Sequence, residues 1–99
     1  MDKYILKDKK IVPVDLMTWT RWFETANRHV AKTTLKDGKW ISTVFLGLDH
    51  NFGVGKPLLF ETMVFKSKDN FNELDIARYS TWEEAEKGHQ RMVNKWKND

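Results

Sequence analysis

The spacing of hydrophobic residues changes along this chain, and each change predicts a different structural element. Residues 3–14 hold two short apolar runs around the polar turn KDKK, which predicts a hairpin. Pro13 has no N–H for a ladder hydrogen bond, so its strand is an edge or ends there. Asp15 is a favourable N-cap, and apolar side chains recur after it at the spacing of a helix. These side chains are Leu16, Trp19, Phe23 and Ala26.

From residue 30 onward the residues favour β-strands. The dipeptide Asp37-Gly38 stands between two such runs and predicts a tight hairpin turn, because that turn needs positive φ. Two further runs follow a glycine-rich bend and a polar loop. We therefore expect an antiparallel meander of four strands, at residues 30–35, 40–46, 58–65 and 74–80.

Residues 80–97 have the pattern of a second helix. Ser80 and Thr81 each stand three residues before a glutamate, which is the spacing of a capping box. Gly88 costs about 1 kcal/mol relative to Ala inside a helix, so we expect a close packing contact there. The apolar stripe consists of Trp82, Ala85, His89, Met92, Val93 and Trp96.

These elements predict one α+β domain over residues 1–99. It consists of a four-stranded antiparallel meander with an N-terminal hairpin, one helix before the sheet and one C-terminal helix packed on it. The composition, 40% hydrophobic and 31% charged, is typical of a soluble globular protein. Five of the 99 residues are Trp, and such large apolar side chains often mark an interface, so we expect a homo-oligomer.

Several classes of function are disfavoured. The chain has no cysteine, which excludes disulfides, thiolate catalysis and cysteine-bound zinc. No apolar run reaches the roughly 20 residues of a membrane span, and the N-terminus lacks the features of a signal peptide, so we expect a cytoplasmic protein. The net charge is +3 without a clustered basic stripe. A nucleic-acid polymer is therefore disfavoured as a partner, whereas a small anionic ligand needs only one or two cations.

Polar and glycine residues concentrate in the bend at residues 47–57, GLDHNFGVGKP. Asp49 and His50 are adjacent there, and the segment 53–56 offers backbone N–H groups and the cation Lys56 to an anion. The spacing is not that of a P-loop. Two structural alternatives stay open: Asp49 forms an Asx-type turn with nearby amides, or the glycines belong to an ordinary hairpin loop.

Two ionisable residues fall among apolar neighbours. Glu61 shares a strand face with Leu59, Met63 and Phe65, and a buried carboxylate is costly unless it is paired. It either accepts hydrogen bonds from a ligand or forms an ion pair. The candidate partners are Arg28, Arg78, Lys32 and a protonated His. His89 is either a core residue or part of a site that converges with Glu61.

Catalysis is disfavoured relative to binding. The spacings match no known metal site or nucleophilic triad, so we expect no metal and no cofactor. Acid/base chemistry by His50 with a carboxylate stays open. The candidate ligand-binding residues are Arg28, Thr43, Asp49, His50, Phe52, Gly53, Lys56, Glu61, Arg78 and His89.

Three strings, STVFLGLDHNFG, LLFETMVF and RYSTWEEAEKGH, together with Trp19, Trp22 and Arg28, carry a resemblance. They resemble a family of small proteins encoded by tailed bacteriophages and prophages, over roughly residues 13–93. The resemblance implies a phage origin, and small phage proteins are often counter-defence factors. One class of these sequesters a nucleotide signal: the cyclic or modified ADP-ribose of Thoeris systems, or the cyclic di- or oligonucleotides of CBASS systems.

By analogy with that class, we expect a sponge for a small anionic nucleotide-like ligand in the cytoplasm of the infected bacterium. Arg28, Arg78 and Lys56 would then bind phosphates, and Phe52 or a Trp would stack on the base. Asp49 and Glu61 would accept ribose hydroxyls. The alternatives are a protein-binding inhibitor of a host defence enzyme, and a small metal-free hydrolase or lyase that uses His50 with a carboxylate.

Overall fold

The computed structural model describes residues 2–51, 53 and 55–97. Its order of elements confirms the predicted α+β fold: a two-stranded hairpin, a helix, a four-stranded antiparallel sheet and a C-terminal helix. The strands are β1 (Lys3–Lys7), β2 (Lys10–Val14), β3 (His29–Thr34), β4 (Trp40–Phe45), β5 (Phe60–Ser67) and β6 (Asn70–Tyr79). The helices are α1 (Leu16–Thr25) and α2 (Trp82–Trp96). No helix in these described ranges is both long enough and apolar enough to cross a membrane.

The larger sheet is a meander with the strand order β3-β4-β5-β6. The strand β6 begins at Asn70, four residues before the predicted start at residue 74. Ser67 pairs with Asn70 across a two-residue turn, so the polar stretch after the turn is drawn into the ladder. Asn and Glu are depleted in strands, so this polar stretch gives no strand signal in the sequence.

The hairpin β1-β2 turns at Asp8 and Lys9, which both have positive φ. Two consecutive positive φ values match the right-handed twist of the strands in a two-residue turn. The hairpin joins the rest of the molecule through a hydrogen bond from the Tyr4 N–H to the Gly47 carbonyl, at 2.9 Å. This bond brings the hairpin to the end of β4.

The helix α2 is capped by Thr81 and Glu84, the second of the two predicted boxes. It buries Ala85, Gly88, His89 and Met92 against the sheet. We call this side of the sheet the covered face. Its side chains are Ala31, Thr33, Ile41, Thr43, Phe45, Phe60, Thr62, Val64, Ala77 and Tyr79.

The helix α1 reaches the same side of the molecule. Trp22, which lies off the predicted apolar face, packs edge-on against Phe45 with the ring centroids 5.6 Å apart. The predicted face was wrong at its first position, because Leu16 is 58% exposed at the start of the helix. Asp15 caps this helix as expected, accepting a hydrogen bond from the Thr18 N–H at 2.8 Å.

Within the described ranges, neither helix packs on the other side of the sheet, which we call the open face. A bulge at Val30 brings His29 opposite Val44 and so onto this face. The open face therefore has one row made of His29, Val44, Glu61 and Arg78. Its further side chains are Lys32, Thr34, Trp40, Ser42, Met63, Phe65, Glu73 and Ile76.

Candidate functional site

The bend at residues 47–57 is held together by its own hydrogen bonds. One oxygen of Asp49 accepts from the N–H groups of Asn51 and Leu58, at 2.8 and 2.9 Å. The side chain of Asn51 accepts from the Gly53 N–H and donates to the Lys56 carbonyl, both at 3.0 Å. The polar groups at the base of the bend thus adopt the Asx-type arrangement that the sequence left open.

Asp49 and His50, which are adjacent in the bend, do not form an acid/base pair in the described part of the chain. No hydrogen bond joins Asp49 to the His50 imidazole in the described part of the chain, and Lys56 is exposed to solvent. Phe52, the predicted stacking residue, lies outside the described residues. The described side chains include no group of three or more His, Asp or Glu residues arranged to hold a metal ion.

A chain of hydrogen bonds links His89 to the sheet on the covered face. Its Nε2 lies 2.8 Å from the Thr33 hydroxyl, and its Nδ1 lies 2.7 Å from the Thr43 hydroxyl. Thr43 in turn contacts the hydroxyl of Thr62 at 2.5 Å. His89 is 5% exposed, and burial lowers its pKa. Both ring nitrogens are thus satisfied inside the protein, as expected of a core histidine.

Glu61 lies on the open face and is paired with Arg78, one of its four predicted partners. Its Oε2 accepts a hydrogen bond from the Nε of Arg78 at 2.9 Å, directly across the β5-β6 ladder. The carboxylate side chain is only 10% exposed, whereas that of Arg78 is 39% exposed. The alternative in which His89 converges with Glu61 is wrong, because the sheet separates the two side chains.

Arg28 is engaged in joining α1 to the sheet. Its Nη1 donates to the Phe45 carbonyl at 3.1 Å, and its guanidinium lies 4.1 Å from the centroid of the Phe23 ring. The predicted site residues therefore divide into three places. Thr43 and His89 are interior, and Glu61 and Arg78 lie on the open face. The other described members of the predicted set lie in the bend, except Arg28, which lies between α1 and β3.

The structure brings His29, Lys32 and Arg28 together at the start of β3, which we call the cationic edge; of the three, only Arg28 is a predicted ligand-binding residue. The pKa of His29 is lowered, first by burial and then by the positive charges of Lys32 and Arg28. The cations Lys32 and Arg28 therefore both lie close enough to His29 to act on its ring. The bulge at Val30 places His29 on the open face, and nothing in the local sequence pattern predicts that bulge.

Aromatic rings occupy the other end of the open face. Trp40 and Phe65 stack across β4 and β5, with centroids 5.7 Å apart and planes at 26°. Phe71 meets the edge of Phe65 at 5.9 Å. Between the rings and the cationic edge lie Ser42 and Met63, which are cross-strand partners.

The described residues enclose no pocket. A ligand of this part of the chain would therefore bind on a surface, and the open face is the surface that combines cations, a hydroxyl and aromatic rings. Fold and surface together define a small α+β protein with one open sheet face. Comparison of the chain with family models, with curated proteins and with solved structures finds no match.

Proposed function

We propose that this chain is a non-enzymatic binding protein that sequesters a small anionic, nucleotide-like ligand on the open face of its sheet. In the phage setting that the resemblance implies, the ligand would be an immune signal of the host. Cyclic or modified ADP-ribose and cyclic dinucleotides are the chemical classes concerned. Removing such a signal from the bacterial cytoplasm would inhibit antiphage defence.

The observation that carries the proposal is the placement of Lys32 and His29 on the open face at the edge strand β3. Burial and, after it, the cations Lys32 and Arg28 lower the pKa of His29, so a phosphate bound beside the ring would favour its protonated form and add a positive charge to the site. Lys32 is exposed and points from the open face, opposite Ser42. Among the described residues Lys32 forms no ion pair, so an anion meets its positive charge here, whereas the charge of Arg78 is balanced by Glu61.

The rings on the same face supply the second half of the recognition. Trp40 is half-buried and is a diagonal neighbour of Lys32, because Lys32 pairs with Ser42 two residues along β4. Diagonal neighbours are about 7–8 Å apart. This separation is on the scale of the distance between base and phosphate in a nucleotide. Stacking on an aromatic side chain is worth about 1–3 kcal/mol per base.

The same residues favour binding over catalysis. The carboxylate of Asp49 accepts from backbone amides, and that of Glu61 accepts from Arg78. Neither carboxylate hydrogen-bonds to a histidine among the described residues. The proposal therefore assigns to the protein the retention of its ligand and no chemical step.

Isothermal titration with ADP-ribose, cyclic ADP-ribose and a cyclic dinucleotide tests the proposal. We expect Lys32→Ala to weaken binding at least tenfold, which is about 1.4 kcal/mol. Lys36→Ala is the matched control, because Lys36 is also exposed but lies in the turn after β3. His50→Ala tests whether the bend at residues 47–57 contributes to ligand binding.

Two further readouts separate this binding mode from its competitors. Ligand binding should raise the pKa of His29, measured by NMR titration. Heating should return the ligand intact. If none of the three probes binds, if Lys32→Ala binds as tightly as Lys36→Ala, or if the released ligand is cleaved, the proposal is wrong.

A further inference from the structure

The outer edge of β6 is long and poorly protected. The strand has ten residues and forms one edge of the sheet, pairing with β5 on its inner side. Natural proteins guard such edges with Lys, Pro, bulges or short strands, because the unpaired backbone groups bind other strands. The opposite edge, β3, has six residues, with Lys32 and the bulge at Val30. The sequence of β6 holds neither Lys nor Pro, and its two register shifts with β5 both lie before Asp75, so the half from Asp75 to Tyr79 has none of these guards.

Apolar side chains are exposed along this same strand. Phe71, Leu74 and Ile76 are 72%, 41% and 37% exposed, which is unusual for three large apolar residues of one strand. The regular part of β6 runs from Asp75 to Tyr79, because a register shift at Leu74 interrupts the ladder with β5. This regular half is the part available for pairing with another strand.

The charges of β6 are arranged so that the strand complements itself. Glu73 is the partner of Phe65 and Arg78 is the partner of Glu61, so both charged residues lie on the open face. Consider an antiparallel pair of β6 strands in which the two Ile76 residues face each other. Because the bulge at Leu74 adds one residue to the strand, Arg78 of one copy then falls opposite Glu73 of the other. Twofold symmetry makes this contact twice. A pairing centred on Asp75 would instead set two carboxylates against each other.

The guanidinium of Arg78 has donors left for such a contact. Among the described residues only its Nε donates a hydrogen bond, to Glu61, and the side chain is 39% exposed. The N–H of Ile76 is at present covered by the Asp75 carboxylate at 2.9 Å, and a second strand would replace this local bond. Opposite charges directly across a ladder stabilise the pairing of two strands.

We propose that two copies of this chain pair antiparallel along β6 to form one eight-stranded sheet, with Arg78 of each copy against Glu73 of the other. The two open faces then become a single continuous surface. This inference is independent of the ligand: it concerns the edge of the sheet, whereas Lys32 and His29 lie on the opposite strand.

A charge exchange between two variants tests the pairing. E73R and R78E should each weaken dimerisation at least tenfold in analytical ultracentrifugation, because each sets like charges across the interface twice. An equimolar mixture of E73R and R78E should form a heterodimer, because both contacts again join opposite charges. E86R, on the exposed side of α2, is the control and should dimerise as the parent chain does.

The rescue by mixing separates a lost contact from a damaged fold. R78E also loses the intramolecular partner of Glu61, and circular dichroism of each variant checks that the fold is kept. A parent chain that stays monomeric at micromolar concentration, or that pairs with a host protein instead of with itself, would overturn the proposal. So would an E73R variant that dimerises like the parent, or a mixture that stays monomeric.

Discussion

Replacing Gly88 with alanine should destabilise the protein, although the same change stabilises most helices. Gly88 is buried in α2, and a Cβ at this position would overlap the Cζ, Oη and Cε1 atoms of Tyr79. Tyr79 is itself buried in the core cluster with Phe45 and Phe60. Its ring therefore has little room to move away. The contact confirms the close packing that the glycine predicted.

Two opposing terms set the size of the effect. Alanine is favoured over glycine inside a helix by about 1 kcal/mol. Overpacking a filled core costs typically about 1–3 kcal/mol and occasionally more, and an overlap with three atoms of a buried ring belongs at the upper end. We therefore expect Gly88→Ala to lower the free energy of unfolding by about 2 kcal/mol. For a domain of this size that lowers the Tm by about 10 °C.

Urea unfolding followed by tryptophan fluorescence measures this change, with Lys87→Ala as the exposed control in the same helix turn. A double-mutant cycle isolates the cause, because Tyr79→Ala removes the ring that the new methyl group meets. In that background Gly88→Ala should become neutral or stabilising. A Gly88→Ala variant more stable than the parent would refute the reasoning, and so would an equal loss in both backgrounds.

Three further outcomes follow from the buried polar groups and from the bend. Burial lowers the pKa of His89. Below the ordinary histidine pKa of about 6.5, this residue is therefore protonated in the unfolded chain while it is still neutral in the folded chain. The contribution of His89 to the free energy of unfolding should therefore be full above about pH 6.5 and should fall as the pH drops from there towards the lowered pKa. Urea unfolding at several pH values should show a flatter pH profile for His89→Gln than for the parent. An unchanged profile would contradict this. Arg78→Ala should lower the free energy of unfolding by about 2–3 kcal/mol, because it leaves the nearly buried carboxylate of Glu61 unpaired. Glu61→Ala should cost only about 1 kcal/mol, because the exposed arginine stays hydrated. Equal losses would contradict this account of the ion pair. Gly47→Ala should lower the Tm, since Gly47 has φ +78° and a Cβ there would press on the Trp19 and Phe23 rings, while Gly53→Ala, in an open part of the bend, should not.

The local elements were predictable from the sequence because their causes are local. Asp37-Gly38 supplies the positive φ that the β3-β4 turn needs, and Gly38 has φ +95°. Asp15 caps α1 as its position predicted. The choice between Ser80 and Thr81 as the second N-cap was not predictable, because both stand at the correct distance from a glutamate. Their difference depends on where the strand β6 ends.

The candidate site was less predictable, because its residues meet across strands. Period two correctly placed Glu61 and Phe65 on one face of β5, and the list of partners included Arg78. It did not say on which side of that strand the helix α2 would lie. The two alternatives for His89, a core residue or part of a site with Glu61, therefore stayed open, and the structure places it behind the sheet as a core residue.

The sequence by itself determined the type and order of the elements, since the periods of 2 and 3.6, the caps and the turn residues all act over a few neighbouring positions. Only the tertiary structure decided that α2 covers the face with Thr43 and leaves the face with Glu61 open. Which face of a sheet is buried depends on the summed packing of residues far apart in the chain. The bulge at Val30, which brings His29 onto the open face, likewise arises from pairing between strands and has no local sequence signal.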